Sequence, residues 1–162
     1  MAPRTGGGVG RGAAAPKSHG GPVLLVAIDG SSASWDAFAW TAGESVRSKG
    51  AIVAVFVSPL SDPSAGIGPT GPMSGAAFQE AREDMAHQLA AELGRRAAEL
   101  GVEVQFVHER GDPVQALTRV ARTVQADAIA VGRSEKPRHR LAGSLSRRLV
   151  LNRDLPVIVV VP

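Results

Sequence analysis

The chain has 162 residues, and 44% of them are hydrophobic, which is enough to bury the core of a single domain. It contains no cysteine, so disulfides, thiol nucleophiles and cysteine-based metal sites are excluded. The net charge of +3 comes entirely from residues 1–20, and aromatic residues make up only 4%. A nucleic-acid partner that stacks on aromatic side chains is therefore not expected.

The start of the chain differs in composition from the rest. Residues 1–21 are rich in Gly, Ala and Pro and show no hydrophobic periodicity. This predicts a disordered basic tail, followed by one folded domain over residues 22–162. No apolar run approaches the length of a membrane span, and the N-terminus lacks the apolar core of a secretory signal. We therefore expect a cytoplasmic protein without a membrane partner.

The first part of the domain predicts two buried strands that enclose one helix. Residues 22–28 and 51–57 are near-continuous apolar runs, which are typical of strands covered on both faces. The helix between them is predicted over residues 33–49, with Gly50 as the C-cap candidate. Its predicted buried face consists of Trp35, Phe38, Ala39, Ala42 and Val46, which recur at helical spacing.

A long connection and a second helix follow. Residues 58–74 contain four prolines and three glycines, so they form neither a helix interior nor a central strand. Disorder is the favoured interpretation, and a lid is the alternative. Residues 102–107 alternate in part, which is typical of an edge strand, and His108 follows without a second histidine at metal spacing. The helix at residues 75–100 has a predicted stripe of Phe78, Ala81, Met85, Leu89, Leu93 and Leu100.

The last part of the domain predicts two more strand–helix units. Asp112 and Pro113 are a strong helix start, as N-cap and first helical residue. A strand is predicted over residues 128–131, and Gly143 with Ser144 opens a short helix in which Ser144 is the N-cap. The final strand covers residues 156–161. The third helix is predicted to bury Val114, Leu117, Val120, Ala121 and Val124, and the fourth to place Leu145, Leu149 and Val150 on one side.

This alternation of strands and helices predicts the fold class. Five strands separated by helices imply an α/β domain with a doubly wound parallel sheet, covered by helices on both faces. Ligands in such folds bind beyond the carboxyl ends of the strands, at the topological switch point. The arrangement of strand, Gly132, polar loop, Gly143, Ser144 and helix is one that can hold phosphate on backbone N–H groups.

These motifs together resemble the universal stress protein family. A strand runs into Asp29, Gly30 and Ser31; a Gly-Asp-Pro begins the third helix; and ADAIAVG and a terminal PVIVVVP follow. Each motif is weak alone, but their order and spacing are specific and cover residues 22–162. The resemblance implies a Rossmann-like sheet of strand order 3-2-1-4-5, usually within a homodimer.

Some members of that family bind ATP and others do not. In those that bind it, an Asp after the first strand and a Val at the end of the second hold the nucleoside, and a G-x2-G-x9-G-[ST] loop holds the phosphates. Gly132 matches the first glycine of that loop, and Gly143 with Ser144 matches its end. The resemblance therefore implies a nucleotide site formed by Asp29, Gly30, Ser31, Val57, Val131, Gly132, Gly143, Ser144 and Leu145.

The phosphate loop departs from the family motif. Glu135 occupies the second glycine position, and the loop is two residues shorter than the motif. Glycine is needed where backbone approaches phosphate, and an inward carboxylate would repel it. Cationic side chains are able to replace the lost backbone contacts, so both interpretations stay open. These loop residues are Arg133, Lys136, Arg138, His139 and Arg140, and any ATP binding through them is expected to be weak and salt-sensitive.

Two functions follow from these observations. The first is a non-catalytic stress-response or regulatory module with a degenerate nucleotide or anion crevice, with or without a further protein partner. The alternative is an ATP or adenine-nucleotide sensor that uses Asp29, Val57, Gly132, Gly143 and Ser144. No G-x-S-x-G, HExxH or intact Walker A motif is present, so neither catalytic residues nor a metal site is predicted.

The last strand also predicts how the chain assembles. In the strand order that the resemblance implies, the strand from Pro156 to Val161 lies at an edge of the sheet. An apolar edge strand must be covered or paired. We expect a two-fold homodimer in which this strand pairs antiparallel with its copy, and in which Val159→Pro disrupts the pairing.

Overall fold

The computed structural model describes residues 20–60, 75–133, 145–152 and 155–162. Residues 1–19 of the predicted tail and residues 61–74 of the predicted disordered connection lie outside these ranges. Strands and helices alternate along the described chain. The strands are β1 (Val23–Ala27), β2 (Ala51–Ser58), β3 (Val104–Arg110), β4 (Ala128–Gly132) and β5 (Val157–Val161), and the helices are α1 (Ser32–Ser48), α2 (Gly75–Leu100), α3 (Pro113–Val124) and α4 (Leu145–Val150).

The five strands form one parallel sheet in the order β3-β2-β1-β4-β5, which confirms the predicted fold. Side chains alternate between the two faces of a strand, so the strands contribute side chains to two hydrophobic cores, one on each face of the sheet. Helices α1 and α2 cover one core, whereas α3 and α4 cover the other. The chain changes direction across the sheet at β1, which makes the carboxyl end of β1 the switch point.

The buried face of α1 is rotated from the predicted one. Ala39 and Val46 were predicted to be buried but are exposed, while Thr41 and Ser45 are buried instead. Burial of these hydroxyls is tolerated because each donates to a backbone carbonyl: Thr41 Oγ1 to Ala37 at 2.7 Å and Ser45 Oγ to Gly50 at 2.7 Å. A pattern based on apolar residues alone cannot find such a face.

The predicted stripe of α2 is also wrong in part. Ala81, Met85 and Leu100 are exposed, although Leu89 and Leu93 are buried as predicted. The buried line of this helix consists of Arg82, Ala86, Leu89, Leu93 and Ala97.

Two boundaries also differ from the prediction. The strand β3 begins two residues later than predicted and continues to Arg110, because it pairs with β2 as far as Ser58. Helix α1 ends on Lys49 in the left-handed conformation, with φ of 55°, rather than on Gly50. The α3 prediction is confirmed: Asp112 caps the helix by accepting from Gln115 N–H at 3.0 Å, and Pro113 is its first residue.

The β5 edge of the sheet is apolar and exposed. Val157 is 65% exposed and Val160 is 42% exposed, although β5 and the buried β1 are both apolar runs. In α4, Leu149 is fully buried, Leu145 is half-buried, and Val150, which was predicted to lie on the inner side, is exposed. The β5 edge therefore leaves apolar side chains exposed that no described element of the subunit covers.

Candidate functional site

A notch in the carboxyl edge of the sheet lies above β1. The last paired residue of β1 is Ala27, which lies opposite Val55, and β2 continues for three more residues to Ser58. On the other side, Val26 lies opposite Ala130, and β4 continues to Gly132. Both neighbours therefore extend past β1. We call this gap, floored by residues 28–31 and bounded by residues 56–58 and Gly132, the notch.

A tight turn places a carboxylate at the floor of the notch. Gly30 has φ of +85°, a conformation that favours glycine, and it reverses the chain between β1 and α1. Ser31 caps α1, and its Oγ accepts from Ser34 N–H at 3.2 Å. The Asp29 side chain accepts from Ser31 N–H at 2.9 Å and from Ser31 Oγ–H at 2.6 Å, both on Oδ1.

These hydrogen bonds keep the Asp29 carboxylate charged. Partial burial raises the pKa of Asp29, but the Ser31 hydroxyl and the Ser31 backbone N–H lower it more, so the pKa lies below its ordinary value. The side chain is nevertheless exposed. Asp29 is thus a fixed, ionised acceptor at the switch point.

The β2 side of the notch offers a backbone edge. Val55 C=O accepts from Ile28 N–H at 2.8 Å, whereas Ser58 C=O accepts from Gly111 N–H at 2.9 Å on the β3 side. Alternate residues of a strand direct their hydrogen-bonding groups to opposite neighbours. Val57 therefore directs its N–H and C=O towards β1, at a level where β1 has already ended.

The β4 side of the notch is fixed by close packing. A Cβ added to Gly132 would lie 2.2 Å from the Ala33 carbonyl oxygen in the first turn of α1, so only glycine fits here. Val131 is buried, Leu145 is half-buried, and Arg133 is exposed, with its N–H donated to Val161 C=O at 2.8 Å. The remaining predicted loop residues, which are Glu135, Lys136, Arg138, His139, Arg140, Gly143 and Ser144, lie outside the described residues.

A cluster that the sequence did not predict supports the end of β2. Ser58 is fully buried, and its Oγ lies 2.9 Å from His108 Nε2; the His108 ring stacks on Phe56 with 5.1 Å between centroids. Arg82 of α2 donates to Pro59 C=O and, at 3.4 Å, to Leu60 C=O. The available sequence signal was the position of Arg82, which lies seven residues before Leu89 on one helix face.

Other kinds of site find no support in the described part of the chain. No group of His, Asp and Glu there is able to hold a metal ion. No described helix is both long and apolar enough to cross a membrane. A shallow groove of about 420 Å³ lies on the outer side of α3 beside Asn152, and it shares no residue with the notch.

Comparison with known structures places this geometry among related folds. A universal stress protein family member from Burkholderia pseudomallei superposes with a TM-score of 0.68 at 21% identity, covering 87% of this chain and 96% of that one. A universal stress protein in complex with cAMP superposes with a TM-score of 0.67 at 19% identity, covering 88% of this chain and 97% of that one. A universal stress protein family member from Arabidopsis thaliana with AMP bound has a TM-score of 0.60 at 21% identity, covering 87% of this chain and 92% of that one.

Sequence comparison identifies the family directly. No curated protein sequence matches the chain significantly. The model of the universal stress protein family, however, matches residues 23–161, which is almost the whole described domain. The chain therefore belongs to the universal stress protein family.

Proposed function

We propose that this chain is a non-catalytic regulatory module that senses an adenine nucleotide, holding its adenosine end firmly and its phosphates weakly. The observation that carries the proposal is the notch, where the Asp29 carboxylate lies at the floor and the Val57 backbone edge forms the β2 side. Two structural relatives, which contain cAMP and AMP respectively, support an adenine ligand.

The two groups fit the two parts of adenosine. An ionised carboxylate only accepts hydrogen bonds, and the vicinal hydroxyls of ribose donate them, so Asp29 is suited to the ribose. A backbone N–H next to a backbone C=O is a donor–acceptor pair, which matches the amino group and ring nitrogen of adenine. Val57 supplies such a pair without any side-chain requirement.

The phosphate end of the ligand has weaker support in this chain. Of the residues from Gly132 up to the start of α4, only Gly132 and Arg133 are described, and the sequence places Glu135 where the family motif has glycine. Preformed backbone donors hold phosphate at little entropic cost, whereas long cationic side chains lose rotamer freedom when they are fixed. We therefore propose that the phosphates contribute little affinity.

Removing the carboxylate tests the adenosine site. Asp29→Asn should weaken AMP binding, measured by calorimetry, by about tenfold or more, because a hydrogen bond to a charged group is lost. Asp36→Asn is the matched control, since Asp36 is an exposed residue of α1 outside the notch, and it should bind as the wild type does. Equal loss in the two variants, or no loss in Asp29→Asn, would refute the assignment of Asp29.

The module is further proposed to act as a homodimer through β5. Val161 C=O accepts from Arg133 N–H, so Val161 and Val159 direct their backbone groups to β4, while Ile158 and Val160 direct theirs to the open edge. An exposed apolar edge with outward backbone groups is a template for pairing with a second copy. The outward residues, rather than Val159, therefore carry the proposed contact.

Proline substitution at neighbouring positions separates assembly from folding. Val160→Pro removes an outward N–H and should give a folded monomer in sedimentation experiments at micromolar concentration. Val159→Pro removes an N–H that faces β4, so it should also lower the stability of the subunit. A wild type that sediments as a monomer would refute the dimer, and so would a Val160→Pro variant that remains dimeric.

A further inference from the structure

The end of β2 is held by three neighbours at once. Ser58 C=O accepts from Gly111 N–H at 2.9 Å, and Ser58 Oγ lies 2.9 Å from His108 Nε2. On the α2 side, the Arg82 guanidinium donates to the carbonyls of Pro59 and Leu60. These contacts fall on the three residues that directly follow Val57. The direction of the Val57 backbone groups therefore depends on them.

Arg82 is an unusual support because it is charged and buried. The residue is 6% exposed, and its Nε has no hydrogen-bond acceptor among the residues that the structure describes. The Phe78 ring lies 4.2 Å from the guanidinium carbon, but no carboxylate of the described residues forms an ion pair with Arg82. A buried positive charge that has no ion pair among the described residues raises the cost of placing a second positive charge nearby.

Protonation of His108 would place a second positive charge near Arg82. His108 is half-buried beneath α2, stacks on Phe56, and has Arg82 and Glu83 of α2 and Glu109 and Arg110 of its own strand around it. Arg110 donates to Glu83 at 3.1 Å, which offsets these two charges against each other. Glu109 pairs with Arg119, so among the described charged groups around His108 it is Arg82 that has no ion-pair partner.

We propose that Ser58, His108 and Arg82 are positioning residues for the Val57 edge, and that protonation of His108 displaces this edge and weakens adenosine binding. The proposal rests on the function proposed above, since it concerns regulation of that same site. In the neutral tautomer with its proton on Nδ1, the imidazole accepts a hydrogen bond from the Ser58 hydroxyl at Nε2, whereas an imidazolium only donates, so the hydroxyl must turn. Repulsion from Arg82 then acts on the same strand end.

The direction of the pH effect follows from the surroundings of His108. Burial lowers the pKa of His108 most, and the charges of Arg110 and Arg82 also lower it; Glu83 and Glu109 raise it, but by less than these lowering effects combined. The ring is therefore neutral at neutral pH. A group whose folded-state pKa is lowered contributes stability above its ordinary pKa of about 6.5, and this contribution is lost as the pH falls through the folded-state value. Asp29, whose pKa is also lowered, stays ionised throughout.

Calorimetry with cAMP at about pH 8 and about pH 5.5 tests the proposal. The cyclic phosphodiester keeps one charge over this range, so ligand titration does not interfere. The wild-type affinity should fall by about three- to fivefold, which is the change that a difference of one unit between the His108 pKa of bound and free protein produces when the lower pH lies close to those values. His108→Gln has a side-chain amide that does not titrate, and its affinity should change by less than about twofold. His87→Gln, at an exposed position of α2, should behave as the wild type does.

A second measurement separates this proposal from the proposed function. In nuclear magnetic resonance spectra of the ligand-free protein, the Val57 amide should shift with the protonation midpoint of the His108 ring, and His108→Gln should abolish that shift. Failure of cAMP to bind at either pH would refute the proposed function, and the Val57 titration would still decide the positioning claim. A flat Val57 titration, or an affinity with equal pH dependence in wild type and His108→Gln, would overturn the proposal.

Discussion

The two sides of the notch are built in different ways. On the β2 side, a backbone edge extends past β1 and is tied to β3, to the β3–α3 turn and to α2 through Ser58, Pro59 and Leu60. On the β4 side, Gly132 is fixed by contact with Ala33, and the loop beyond it departs from the family motif at Glu135. The two halves of a switch-point site are therefore able to diverge separately. A backbone edge tolerates changes of side chain, whereas a phosphate loop depends on particular glycines.

On the β4 side of the notch, adding a single methyl group at Gly132 should lower the stability of the fold more than any other change proposed here. Gly132→Ala places a Cβ 2.2 Å from the Ala33 carbonyl oxygen, so helix α1 or strand β4 must move. We expect the free energy of unfolding, measured in urea, to fall by about 3 kcal/mol or more.

A second glycine provides the control for that experiment. A Cβ at Gly94 of α2 meets nothing within 4 Å, so Gly94→Ala should raise the free energy of unfolding by about 0.5–1 kcal/mol through helix propensity alone. If the two variants prove equally stable, the close approach of β4 to α1 is not a constraint, and the steric account of this side fails.

On the β2 side, removal of Arg82 should have a smaller but clear effect. Arg82→Ala leaves the carbonyls of Pro59 and Leu60 without their donor and should lower the free energy of unfolding by about 2 kcal/mol. Arg95→Ala is the control, because Arg95 is exposed and its ion pairs with Glu92 and Glu99 contribute about 0–1 kcal/mol. Only Arg82→Ala should also weaken AMP binding. Matching losses in both variants would show that the Arg82 hydrogen bonds to the end of β2 contribute no more stability than an exposed ion pair does.

The sequence predicted the fold well because its signals are local. Apolar runs mark the strands, and Asp112 with Pro113 marks the start of α3, as the structure confirms. The helix faces were predicted less well, because buried hydroxyls such as Thr41 bond to backbone and a buried Arg82 bonds to carbonyls. Such burial depends on partners that the spacing of apolar residues does not reveal.

Only part of the candidate site could be predicted from the sequence. The sequence singled out Asp29 and Val57, and the structure places both at the notch. It treated His108 as isolated, because Ser58 lies fifty residues away in the chain and only strand pairing brings the two together. Contacts of this kind require the register between β2 and β3, which the sequence pattern does not specify.

The central claim is that the adenosine half of the site is intact and the phosphate half is not. Calorimetric titration of AMP and of ATP into the wild type, repeated at raised salt, tests this claim most directly. We expect the two dissociation constants to agree within about threefold at raised salt, because screening removes the attraction of loop cations for the extra phosphates. An ATP constant about 100-fold tighter than that of AMP, and unchanged by salt, would show that a backbone phosphate site survives and would contradict the account.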